Sequence, residues 1–263
     1  MYSFSGKIKL VAIISMVVGL LGIGYSFIAT PSTVEALGAH ASHDPAHAEH
    51  VLHLLQNKPW AALYVAALFF MLISLGVLAF YAINRAAQAG WAPILFRVME
   101  GITGYLPIGA LIFFLLLVFS GLHFNHLFIW MDPAVVAHDK VIQGKTGYLN
   151  VPFFLVRAAV YMLGWIAYRQ ITRKLSKAQD QAHDNRPFVK AFKWSAGFLV
   201  FFLVSESMMS WDWVMSVDPH WFSTLFGWYV FGSLIASAIA AIILVTVTLK
   251  SQGYLEHVND SHL

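Results

Sequence analysis

The chain has 263 residues, 59% of them hydrophobic and only 11% charged, with a net charge of +3. Apolar runs of about 20 residues separated by polar loops mark an integral membrane protein, because a soluble core of this length carries far more charge. Cys is absent, which excludes an iron-sulfur cluster, a CxxCH-attached haem, a thiolate zinc site and a disulfide on this chain; the basic residues are read as orientation signals, and no nucleic-acid partner is expected.

In chain order, six segments are long and apolar enough to span: Leu10–Ala29, Trp60–Ile83, Ile102–Met131, Val151–Ile171, Trp194–Met215 and Trp221–Leu249. They lack a period-2 alternation, which argues against a β-barrel, so the expected fold class is all-α, one polytopic membrane domain over Met1–Leu263. The first segment follows Lys7 and Lys9, and its uncharged run exceeds that of a signal peptide, which predicts a retained helix. The loop at 30–59 holds His40, His43, His47, His50 and His53. Within it His43, His47 and His50 would share one helical face and are weak metal candidates; the plainer reading is a polar loop rich in His. A second loop, at 172–193, is basic and predicts a short amphipathic excursion at the membrane surface.

Counting Lys and Arg in alternate loops puts twelve of 16 on one side, leaving Lys58, Lys140, Lys145 and the intrahelical Arg157. Both termini are therefore expected in the cytoplasm, with Trp130, Trp211, Trp213 and Trp221 as an aromatic belt on the outer face.

A coincidence of depth selects the candidate site. His123 stands seven residues inside Trp130, Arg157 seven inside Asn150, and Glu206 seven inside Trp213. At the helical rise each lies about 10 Å below the outer boundary, so three consecutive spans would place an imidazole, a guanidinium and a carboxylate in one layer. His126 shares the His123 face and Tyr161 continues the Arg157 face, while Asp212 is turned about 120° from Glu206. Charged groups in hydrocarbon are costly and carry a partner or a job. One reading is an Arg157–Glu206 ion pair that fixes helix packing; the other is a protonatable relay or the polar end of a ligand pocket. A bis-His haem is not expected, since His123 and His126 lie on one helix. Asp132 and Asp218, each followed by Pro, read as caps and turns, and Arg97–Glu100 as a surface ion pair.

The stretches NKPWAALYVAALFFMLISLGVLAFYAINRAAQAGW, LFRVMEGITGYLPIG, SGLHFNHLFIWMDP, GYLNVPFFLVRAA and SESMMSWDWVMSVDPHWFSTLFGWYVFGS cover nearly the whole chain outside the two loops. They resemble the F-type, NrfD-like membrane subunit of alternative complex III, the bacterial complex passing electrons from quinol to cytochrome c or an oxidase. The resemblance implies a multi-pass subunit of the bacterial inner membrane with no redox cofactor of its own. Its implied partners are the other subunits of the complex, which bear haem c and iron-sulfur clusters, and a terminal oxidase, with quinone on the related C-type subunit. It also implies a role in proton movement and packing, for which His123, His126, Arg157, Tyr161, Glu206 and Asp212 are the proton-path candidates on depth and facing. Two four-helix bundles, about ten spans, are the family's pattern; six spans here predict the N-terminal portion of a longer protein, with helices two to five forming the first bundle. Two alternatives are a purely structural membrane anchor and a stand-alone transporter. The transporter is disfavoured because the polar layer sits off the midplane and no span carries a central Gly/Pro break.

Overall fold

The computed structural model describes residues 6–35 and 45–259. Helices run in the order α1 (Gly6–Ala29), α2 (Pro45–Ala86), α3 (Phe96–Ile102), α4 (Leu106–Gly121), α5 (Pro133–His138), α6 (Lys140–Gln143), α7 (Val151–Gln179), α8 (Arg186–Trp213) and α9 (Phe226–Ser251). No strand occurs among the described residues. Six helical stretches are long and apolar enough to cross a membrane: Gly6–Ala29, Val51–Ala86, Ala92–Gly121, Val151–Gln179, Arg186–Val217 and Phe226–Ser251. The chain is an all-α, multi-pass membrane protein.

Helices α2, α4, α7 and α8 close into a ring in which each touches two others, and α9 packs outside it against α2 and α8. This is the grouping of helices two to five that the resemblance implied. Its centre is aromatic: Trp213 of α8 meets Phe113 of α4 at 5.0 Å and Trp165 of α7 at 5.8 Å, and all three are fully buried. The Tyr64 hydroxyl of α2 donates to the Trp213 carbonyl at 2.7 Å, tying the outer end of α8 to the ring. Helix α9 reaches α2 where Gly76 leaves room: a Cβ there would stand 2.7 Å from the Leu234 carbonyl oxygen. Small residues permit such close backbone approach in hydrocarbon, where packing rather than water drives association. The buried face of α9 is Val230, Leu234, Ala238 and Ile242, so Gly232, Ser233, Ala236 and Ala240 look away from the bundle. Helix α1 lies against α2 with no residue buried.

Four sequence expectations are corrected. The 30–59 loop is helical from Pro45 onward, because Pro59 is accommodated inside α2 rather than starting it. Proline in a helix interior costs about 3 kcal/mol or more; here packing of Ala48 and Leu52 and the Asn57 contacts below offset it. The third span begins and ends about ten residues earlier than Ile102–Met131. Its start is drawn back because residues 92–102 bury Leu95, Met99 and Glu100, and its end is a Schellman cap. His123 takes φ 61°, its N–H bonds to Ser120 O, and the Phe124 N–H bonds to Phe119 O. The basic 172–193 segment forms no helix of its own: α7 continues to Gln179, α8 starts at Arg186, and the chain turns back within residues 180–185. Gln179 holds that turn, donating to Asp184 O and accepting from Phe188 N. Of the expected aromatic belt only Trp211 and Trp221 are exposed, while Trp130 and Trp213 belong to the core.

Candidate functional site

Near the start of α7 and the end of α8 a buried arginine and a buried aspartate face each other. Asn150 caps α7 by accepting the Phe153 N–H, and two turns on stands Arg157. Its Nε donates to Asp212 Oδ2 and its Nη2 to Asp212 Oδ1, both at 2.8 Å, a bidentate pair with the residues 5% and 0% exposed. The remaining Nη1 donates to Tyr148 O at 3.0 Å, and the guanidinium lies 3.8 Å from the Tyr148 ring centre and 4.3 Å from that of Phe153. The Tyr161 hydroxyl donates to Asp212 Oδ2 at 3.2 Å. Ser216 donates to the Asp212 carbonyl. Burial and then the Asp212 carboxylate push the Tyr148 phenol above its ordinary range, so it stays protonated.

The expected Arg157–Glu206 pair is replaced by Arg157–Asp212, for a geometric reason. Every Cα–Cβ bond tilts toward its helix N-terminus. Since α7 and α8 run antiparallel, their side chains lean opposite ways: Arg157 toward the start of α7 and Asp212 toward the start of α8, so the two meet, while Glu206 leans away from the arginine.

Glu206 makes no bond to that pair. It is 2% exposed, its Oε1 has no hydrogen-bond partner, and it joins no ion pair among the described residues. Seven residues separate it from Trp213, 20° short of two full turns, so it shares the face that Trp213 turns to Phe113 and Trp165. A carboxyl in such a place changes solvation sharply with its charge, and its proton occupancy answers to any water or ion that reaches it.

Other candidates lie elsewhere. His123 and His126 are not in the membrane layer but exposed, beyond the end of α4. His126 packs edge-on against His53 of α2, ring centres 4.8 Å apart, and Asn57 holds its backbone by donating to the carbonyl at 3.1 Å and accepting its N–H at 2.8 Å. His43 and the side chains of His47 and His50 lie outside the described residues. Asp132 caps α5, as expected, by accepting the Ala134 N–H, and Asp218 accepts the His220 N–H in a turn.

Two features escaped sequence reasoning. Tyr148 lies in a loop with no periodicity to mark it, yet it is shared between the arginine and a cavity of about 370 Å³ that it lines with Lys145, Trp211, Ser216 and Trp221. Glu100 is no surface residue: it is 5% exposed and accepts from Arg97 at 2.8 Å, Arg173 at 2.6 Å and Tyr81 at 3.2 Å. The Tyr81 hydroxyl in turn accepts from Arg85. The i,i+3 spacing of Arg97 and Glu100 signalled the pair, but nothing local signalled that α2 and α7 close over it. Comparison with models of known families gives no match for this chain, and comparison with curated proteins gives none either.

Proposed function

We propose that this chain is the NrfD-like, F-type membrane subunit of a quinol-oxidising respiratory complex of the alternative complex III kind. In this reading it sits in the bacterial inner membrane with both termini cytoplasmic, carries no redox centre of its own, and serves assembly and proton movement. The observation that carries the proton role is Glu206, a buried carboxyl on a helix of the bundle whose Oε1 has no hydrogen-bond partner. The cavity over Tyr148 supports the same reading. It is lined by Tyr148 and Ser216, which touch Arg157 and Asp212 in turn, so a polar cluster of donors and an acceptor stands behind its wall. His123 and His126 have no part in the membrane segment of such a route.

A second reading, a structural anchor, is favoured by the bidentate Arg157–Asp212 geometry, which suits a pair that fixes how α7 and α8 meet. Glu206→Gln in the assembled complex separates the two. Loss of proton uptake with quinol turnover and subunit composition retained supports the relay; loss of assembly supports the anchor. Unchanged uptake and assembly overturn both roles for this residue. Purification in mild detergent as a monomer that transports solute in liposomes would overturn the subunit assignment itself.

A further inference from the structure

On the basic face four arginines, Arg85, Arg97, Arg169 and Arg173, gather where α2, α3 and α7 leave the span. Three are answered: Arg97 and Arg173 bond to Glu100, and Arg85 bonds to Tyr81. The Arg169 guanidinium makes no hydrogen bond or ion pair with any described residue, and its Nε is shielded from solvent without a partner. Its Nη2 lies 3.6 Å from where a Cβ on Gly104 would stand, so the guanidinium rests against the bare backbone just before α4.

Immediately inward, α4 and α7 part to leave an apolar groove of about 410 Å³, walled by Pro107, Leu111, Phe114, Ala159, Leu163 and Ile166. That volume lies within the usual range of small-ligand sites, about 300–1,000 Å³. The α7 residues of its wall continue at helical spacing into Arg169 and Arg173, so one stripe passes from hydrocarbon to cation. Arg169 is 18 residues past Val151, about 27 Å along the helix, which puts its charge at the far edge of a hydrocarbon core of about 30 Å.

We propose that this groove holds one acyl chain of an anionic phospholipid whose phosphate is bound by Arg169, with Arg173 beside it. The charge decides the occupant. A zwitterionic lipid brings no net charge to offset an arginine that lacks a bonded partner, and a neutral isoprenoid brings none at all. A phosphodiester with an uncharged headgroup supplies the missing acceptor at the right depth, and a basic recess between spans is the setting in which such headgroups are held.

The test is lipid retention by the purified protein in detergent, titrated with dipalmitoyl phosphatidylglycerol against dipalmitoyl phosphatidylcholine and read by native mass spectrometry. The expected result is at least tenfold preference for the anionic lipid, lost in Arg169→Gln and largely kept in Arg169→Lys. Because the Arg169 guanidinium bonds to no described residue, its replacement breaks no side-chain bond of the fold. Ala159→Phe fills the groove without touching the arginines and lowers retention of the same lipid. Equal retention of both lipids, or a preference unchanged in both Arg169→Gln and Ala159→Phe, overturns the proposal. So does a co-purifying neutral isoprenoid that Arg169→Gln leaves in place.

Discussion

Arg157 and Asp212 exchange two hydrogen bonds out of reach of water, and the physics of such pairs makes their variants informative. Removing one partner of a buried pair leaves an uncompensated charge and costs about 3–5 kcal/mol, whereas replacing both by apolar residues is often neutral. Asp212→Asn is therefore expected to lower the unfolding midpoint strongly, and Arg157→Met with Asp212→Leu to lower it much less. A double-mutant cycle in detergent measures the difference. That Asn150 and Trp213, the marks from which Arg157 and Glu206 were counted, end their helices was legible. The identity of the pair was not, because depth says nothing of the lean of side chains on antiparallel helices. Tyr161 was placed on the right face, and its bond to Asp212 follows from that placement.

At the level of whole elements, the outer extension of α2 and the loop after α4 are joined through the imidazoles of His53 and His126 and the amide of Asn57. Desolvation first, then the neighbouring His53 and His123, lower the His126 pKa from its ordinary 6.5, while Asp132 opposes the shift. The unfolded chain then binds more protons than the folded one over the interval below 6.5. This contact is accordingly strongest above that value and weakens as pH falls through the folded pKa. Hydrogen exchange at residues 122–127, corrected for intrinsic rates, is expected to speed up between pH 7.5 and 5.5 in the native chain but not in a His126→Gln variant. The existence of every span was readable from its run of apolar residues. The ends were less so: a left-handed His123 closes α4 where Gly is the usual residue, and Pro59 sits where a helix start would be expected.

Over the whole molecule, the asymmetry of twelve cationic residues against four sets the expected orientation. Because the chain has no Cys, single introduced cysteines report sidedness cleanly. Lys177→Cys is expected to react with an impermeant maleimide only from the cytoplasmic side, and Lys140→Cys only from the other; the reverse pattern overturns the assignment. The ring of α2, α4, α7 and α8 was expected only through the family resemblance, whereas the seating of α9 turned on Gly76, one glycine among 18. Asn57 grips both the N–H and the carbonyl of His126, and two residues on from His126 the chain plunges into the core as Phe128, then Trp130. The protruding end of α2 thus works as a handle bolted to the lid of the barrel: a neighbour that tugs on it shifts the packed interior rather than a slack tether.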